Sequence, residues 1–186
     1  MWLPETGLAI VLRAALALVA PTFLTGCFQP LYQQAPLSGG PDLRNALAAI
    51  DVQQIAAPNG SENARIAVEL RNALLFELTG GEGSIAPTHR LNIKMATSRS
   101  AIIVDPDTGR TETEVTGIDV KYILTELATD RPVINAVAFA RVSSDIPGQQ
   151  QRFARWRAQR EAEDRAAKVI ADQIRSRLAS YLVAGT

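Results

Sequence analysis

The chain contains a single cysteine, Cys27, so no disulfide bond within the chain can hold its fold together. Stability must instead come from a hydrophobic core, and the residues after Cys27 are numerous enough to build one. The tetrad Leu24-Thr25-Gly26-Cys27 follows a short apolar run, which is typical of the cleavage site of a bacterial lipoprotein signal peptide. We therefore expect a covalent lipid on Cys27, with acyl chains such as palmitate, and no other cofactor.

The segment before Cys27 has the layout of a secretion signal. Arg13 precedes the apolar stretch 14–20, which is shorter than the roughly 20 apolar residues that cross a bilayer. A membrane anchor helix over residues 7–24 is an alternative, but Arg13 near its middle would cost about 2.5–3.5 kcal/mol. A second alternative is that Cys27 is a buried residue of an ordinary N-terminal helix. We predict a signal peptide over residues 1–26.

The predicted mature chain has the length of one domain. The whole sequence carries 19 basic and 19 acidic residues, so no excess charge attracts nucleic acid, and we expect no nucleic-acid partner. Two prolines and two glycines within residues 33–42 are typical of a flexible spacer. We place the lipidated N-terminus and its tether at residues 27–46 and a single domain at residues 47–186.

The hydrophobic pattern of this domain predicts the order β-α-β-β-β-α. Alternating apolar residues indicate strands, and apolar residues three or four apart indicate helices. The predicted strands cover residues 47–56, 89–97 continuing over 100–104, 111–127 and 133–143, and the predicted helices cover 63–78 and 151–182. This order predicts an α+β two-layer sandwich, with a mainly antiparallel four-stranded sheet and both helices on one face.

The start of the C-terminal helix permits two interpretations. Phe153 and Trp156 continue the apolar stripe of the helix, so we expect them to pack in the core. The alternative is a basic amphipathic helix on a membrane surface, because several arginines surround Trp156. Acidic residues from Glu161 onward neutralise much of that charge, which favours core packing.

Four runs of sequence resemble the lipopolysaccharide-assembly lipoprotein family, LptE, in its alphaproteobacterial form. They are Leu24–Cys27, Phe28–Tyr32 directly after it, Leu70–Leu74 in the first predicted helix and Phe153–Ala167 in the last. Family members often have an extra residue between the cysteine and the aromatic residue, which this chain lacks. The resemblance implies a non-catalytic lipoprotein of the outer membrane, anchored by its lipid on the periplasmic side. The implied partners are lipopolysaccharide and the β-barrel LptD, which the lipoprotein plugs and helps to assemble during insertion of lipopolysaccharide into the outer leaflet.

The residues themselves offer little for catalysis. His89 is the only histidine and Cys27 the only cysteine, so no set of metal ligands of these types is present. Glu112 and Glu114 would share one strand face, but no pocket pattern accompanies them. We expect no enzymatic activity and no metal site.

Cations on the predicted strands are candidates for binding the phosphates of lipopolysaccharide. They are Lys94, Arg99, Arg110, Lys121, Arg131 and Arg141. We expect them to form an anion-contacting edge on the helix-free face of the sheet, with Lys94, Lys121 and Arg141 as the best candidates. Ordinary solvated surface charge is the alternative for each. The alternative function is a stand-alone periplasmic lipoprotein that carries an amphiphile in a cavity between the helices and the sheet.

Overall fold

A computed structural model describes residues 42–81, 83, 85–104, 106–107, 109, 111–145 and 152–184. Cys27, the predicted signal peptide and most of the predicted tether lie outside these residues, so those assignments stay predictions. The elements in chain order are α1 (Leu43–Ala48), β1 (Ile50–Val52), α2 (Glu62–Thr79), β2 (His89–Val104), β3 (Thr111–Glu126), β4 (Arg131–Asp145) and α3 (Arg152–Ala184).

The strands form one four-stranded sheet in the order β1-β2-β3-β4. The short strand β1 is parallel to β2, whereas β2 with β3 and β3 with β4 are antiparallel. The predicted α+β fold, with its order β-α-β-β-β-α and its mainly antiparallel sheet, is confirmed. The two segments predicted at 89–97 and 100–104 are one continuous strand.

The short helix α1 was not predicted. Residues 43–46 were expected in the tether and residues 47–56 in the first strand, but the helix covers Leu43–Ala48 and the strand only Ile50–Val52. The Asp42 carboxylate caps the helix by accepting a hydrogen bond from the Arg44 N–H at 3.2 Å. Leu43 and Leu47, four residues apart, are both buried. Helical spacing and a cap therefore override the strand pattern here.

Helix α2 begins and ends as its sequence predicts. The Ser61 hydroxyl accepts a hydrogen bond from the Ala64 N–H at 3.1 Å, and Gly80 ends the helix with a φ of 67°. The apolar positions of the helix are buried: Ile66, Leu70, Leu74 and Leu78. Arg71, on another face of the same helix, donates from Nε to the Val52 carbonyl oxygen at 3.1 Å and so joins α2 to β1.

The hydrophobic core lies between the two long helices and one face of the sheet. Alternate residues of β2, β3 and β4 point into it: Leu91, Ile93, Ile118, Val120, Tyr122, Leu124, Ile134, Ala138 and Ala140. Burial raises the pKa of the Tyr122 phenol, with Arg177 opposing the shift. Small residues on both sides let α3 approach the sheet closely. On α3 these residues are Ala166, Ala167, Ala171 and Ala179.

The outer edge of β4 is covered by a side chain of α3. The Gln173 Oε1 accepts from the Phe139 N–H at 3.3 Å, and its Nε2 donates to the Phe139 carbonyl oxygen at 3.1 Å. Further along, Arg165 donates to the Ser143 carbonyl oxygen at 3.3 Å. These bonds satisfy backbone groups that an edge strand otherwise leaves open.

Ion pairs fix α2 and α3 side by side in the same direction. Arg65 pairs with Glu163 near the start of α2, and Glu77 pairs with Arg175 at 3.1 Å near its end. Residues 65 and 77 of α2 are as far apart along the chain as residues 163 and 175 of α3, and both numbers increase in the same direction. The two helices therefore run parallel. Helix α3 begins two turns before the level at which α2 begins.

This offset corrects the prediction that Phe153 and Trp156 pack in the core. Phe153 is 85% exposed and Trp156 is 54% exposed. Among the described side chains of α3, Ala162 is the first that is buried. The apolar stripe continues toward the start of the helix, but α2 is not beside it there.

A buried carboxylate joins three elements at the point where α2 begins. Glu163 of α3 is 1% exposed and pairs with Arg65 of α2 and with Arg99 of β2, the latter at 2.6 Å. Gln159 donates to the same carboxylate at 3.2 Å. Glu62 of α2 also contacts Arg99 and Gln159. Glu163 is therefore compensated by two cations and one amide.

We expect Glu163→Ala to lower the free energy of unfolding by about 3 kcal/mol, because it leaves Arg65 and Arg99 without their buried partner. Urea denaturation measures this change. The matched control is Glu161→Ala, since Glu161 is 71% exposed and its pair with Arg165 spans one helical turn; its effect should stay below about 0.5 kcal/mol. Equal losses in the two variants would contradict the assignment.

Candidate functional site

The face of the sheet that carries no helix is exposed, as predicted. We call it the open face, and it consists of the residues of β2, β3 and β4 that alternate with those in the core. Lys94 of β2 and Lys121 of β3 lie directly opposite each other on it. Neither lysine forms an ion pair with another described residue. Because like charges directly opposite one another destabilise a sheet, this pair favours an anionic ligand.

An apolar groove of about 330 Å³ lies beside the two lysines. Its walls include Ala96, Val137 and Phe139 together with the charged residues Lys94, Lys121 and Asp119. Val137 is 66% exposed and Phe139 is 60% exposed, which is unusual for neighbouring apolar residues on a strand. The groove therefore combines cations with an apolar surface, and this combination suits a ligand with an anionic group beside an apolar part.

The third candidate, Arg141, lies on the same face but is already engaged. Its Nη2 donates to both carboxylate oxygens of Asp119, at 2.8 and 2.9 Å. Its Nη1 donates to the carbonyl oxygens of Ala140, at 2.9 Å, and Ile118, at 3.3 Å. The guanidinium carbon also lies 5.9 Å from the centre of the Phe139 ring. An anion would have to compete with Asp119 for this side chain.

Gly117 makes the position of Arg141 possible. The two residues are opposite each other in β3 and β4. A Cβ atom on Gly117 would lie 3.0 Å from the Arg141 Cδ and 2.5 Å from the Ser98 Oγ. Glycine inside a strand therefore leaves space for a side chain that crosses it. Sequence reasoning missed this glycine, although an isolated glycine within a strand pattern is the signal that indicates such a crossing.

Of the remaining predicted cations, Arg99 does not join this surface. Arg99 was expected on the open face, but it points to the helices and pairs with Glu62 and Glu163, so that prediction is wrong. Arg99 and the core residue Leu91 lie an even number of residues apart on β2, so their side chains point to the same, covered face of the sheet. Arg131 is exposed at the start of β4, and Arg110 lies outside the described residues.

The described residues contain no cluster of three or more His, Cys, Asp or Glu side chains that could hold a metal ion. The His89 Nδ1 lies 2.8 Å from the Thr88 Oγ1. Within the described part of the chain, no helix combines the length and the hydropathy needed to cross a membrane.

Two solved structures define the class of fold. A candidate lipoprotein from Caulobacter crescentus has a TM-score of 0.59 at 22% identity, with 77% of this chain and 97% of that chain covered. The rare lipoprotein B from Shewanella oneidensis has a TM-score of 0.51 at 14% identity, with 72% and 96% covered. At these identities the likeness shows a shared α+β fold.

The family follows from the sequence. A model of the family LptE, described as lipopolysaccharide-assembly, matches residues 47–178. The match covers more than half of the chain, so the protein belongs to the LptE family and the predicted resemblance is confirmed. Comparison with curated protein sequences gives no match.

We expect Lys94→Glu to raise the free energy of unfolding by about 0.5–1 kcal/mol, because a cross-strand pair of opposite charges replaces a repulsive one. Urea denaturation at low salt measures the effect. The double variant Lys94→Glu with Lys121→Glu restores repulsion with the opposite sign, so it should lose this gain. A double variant as stable as the single one would show that the two lysines do not interact.

Proposed function

We propose that the protein is a non-catalytic lipoprotein subunit of a lipopolysaccharide translocon. It is anchored by a lipid on Cys27 to the periplasmic side of the outer membrane. There it plugs the β-barrel LptD, supports its assembly and aids the insertion of lipopolysaccharide into the outer leaflet. The observation that carries this proposal is the match of the LptE family over residues 47–178.

The anchor rests on the sequence around Cys27. The apolar stretch 14–20 and the tetrad that ends in Cys27 have the layout of a lipoprotein signal. More than one acyl chain on a single residue gives stable attachment, whereas one chain gives only reversible attachment. The spacer at residues 33–42 then separates the lipid from the folded domain and lets the domain reach a partner.

The open face supports direct contact with lipopolysaccharide. We propose that Lys94 and Lys121 contact its phosphates, since both are exposed and lie opposite each other with no described acidic partner. Val137 and Phe139 in the adjoining groove would contact its apolar part. Arg141 is the third proposed contact, and it reaches a phosphate only by giving up part of its pairing with Asp119.

The alternative, a carrier with a cavity between the helices and the sheet, gains no support from the described core. The residues that would line such a cavity are fully buried and belong to one packed cluster, among them Leu70, Leu74, Ile118, Ile170 and Ile174. The groove at Lys94 opens on the opposite face of the sheet.

We expect the wild-type protein, purified from membranes in mild detergent, to bring a large β-barrel with it. In cells depleted of that barrel, the wild-type protein should stay in the outer-membrane fraction through a high-salt wash, and Cys27→Ala should leave it because the acyl chains are gone. The salt screens any electrostatic contact of the protein with lipid headgroups, so that only the covalent lipid holds it. Lys168→Ala, with its cysteine intact, is the control, since Lys168 is an exposed residue of α3 outside the open face. Retention of Cys27→Ala without the barrel would refute the anchor, and purification without any barrel would refute the partner.

We also expect the double variant Lys94→Glu with Lys121→Glu to bind lipopolysaccharide at least about tenfold more weakly, because two attractive charges become repulsive. Binding of purified protein to immobilised lipopolysaccharide measures this change. The control is Lys168→Glu, an exposed lysine on α3. Unchanged binding in the double variant would remove the open face as the contact and leave the translocon role intact.

A further inference from the structure

We propose that the start of α3, residues 152–160, docks on a bilayer surface that contains anionic phospholipids. We call this segment the α3 start. The inference concerns a contact of the protein with lipid headgroups that does not involve Cys27 or the open face. It therefore goes beyond the proposed function and does not depend on it.

The first observation is the exposure of two large aromatic side chains. Phe153 is 85% exposed and Trp156 is 54% exposed. They lie three residues apart, so they are neighbours on one side of the helix. Helix α2 cannot cover them, because α2 begins at the level of Gln159 and Glu163. Exposed apolar surface of this kind marks a contact site.

The second observation is the charge of the same segment. Residues 152–160 contain no aspartate or glutamate and four basic residues: Arg152, Arg155, Arg157 and Arg160. Arg155, Arg157 and Arg160 are exposed, and none of them forms an ion pair with another described residue. The chain as a whole is neutral, so this concentration of positive charge is local. An anionic surface is its electrostatic complement.

The third observation is a direct contact between one of these arginines and one of these aromatic side chains. The guanidinium carbon of Arg160 lies 4.0 Å from the centre of the Trp156 ring, which is a cation–π contact. The cation and the aromatic ring therefore present themselves together. Tryptophan favours the boundary between lipid headgroups and acyl chains, and arginine pairs with the phosphates at the same depth.

A bilayer surface explains both features of the α3 start. A free phosphate would engage the arginines but would leave Phe153 and Trp156 in water. Helices that lie in the plane of a membrane have this composition, with phenylalanine and tryptophan inserted and basic residues at the headgroups. The segment is about 14 Å long, which suffices for a shallow contact of two aromatic side chains.

Tryptophan fluorescence tests the proposal directly. The sequence has two tryptophans, Trp2 and Trp156, so the chain from residue 27 onward reports on Trp156 alone. This chain keeps every residue of the hydrophobic core, since the core lies between Leu43 and Leu182. It carries Cys27→Ala, so no acyl chain contributes. Vesicles of phosphatidylcholine mixed equally with phosphatidylglycerol should shift the emission to shorter wavelength, and vesicles of phosphatidylcholine alone should not.

Substitutions within the α3 start test whether this segment binds the vesicles. Vesicle co-sedimentation measures the binding of each variant. The double variant Arg155→Gln with Arg157→Gln should bind mixed vesicles on the order of tenfold more weakly. Phe153→Ser should bind about fivefold more weakly. The matched control is Phe76→Ser, because Phe76 is an aromatic residue of α2 that is 65% exposed; its binding should equal that of the parent chain.

Three results of the vesicle experiments would overturn the proposal. They are no emission shift with the mixed vesicles, an equal shift with phosphatidylcholine alone, and an equal loss of binding in Phe76→Ser and Phe153→Ser. Inorganic phosphate at matched ionic strength should leave the emission of Trp156 unchanged, and a shift with phosphate would show an ion site in place of a membrane contact. Circular dichroism confirms that each variant is folded.

Discussion

The relative position of the two long helices determines most of what this domain exposes. Ion pairs from Arg65 to Glu163 and from Glu77 to Arg175 align α2 with α3 in parallel. Glu163 is the critical partner, because its burial requires cations from both α2 and β2. Once this alignment is set, α2 covers the middle of α3 and leaves the first turns of α3 uncovered. The exposure of Phe153 and Trp156 therefore follows from this alignment of the two helices.

The sheet has a different character on each side. Its covered face belongs to the hydrophobic core, to which both β4 and α3 contribute small alanine side chains. Its open face is held by polar contacts, above all the pairing of Arg141 with Asp119 across β3 and β4. That pairing engages Arg141, whereas Lys94 and Lys121 have no ion-pair partner among the residues that the structure describes. The geometry of this face thus suits an anionic amphiphile.

Sequence reasoning recovered the elements that depend on local periodicity. The strands from His89 to Asp145 and the helix after Ser61 follow from alternation, caps and turn residues. The sheet face on which Arg99 lies could also be predicted, since Arg99 and the core residue Leu91 lie an even number of residues apart on one strand. The exposure of Phe153 and Trp156 could not be predicted. The apolar stripe shows which face of α3 is buried, but it does not show where the neighbouring helix α2 begins. The Arg141–Asp119 pair likewise depends on strand register, which the sequence does not determine.

The side-chain amide of Gln173 has a consequence for how the protein behaves before it meets a partner. By occupying both the N–H and the carbonyl oxygen of Phe139, it interrupts the row of groups along β4 that another strand would need. The strand on this side is long and ends the sheet, so without such a cover it would be a template for polymerisation. A helix that packs on the core thereby also hinders the pairing of β4 with a strand of another molecule.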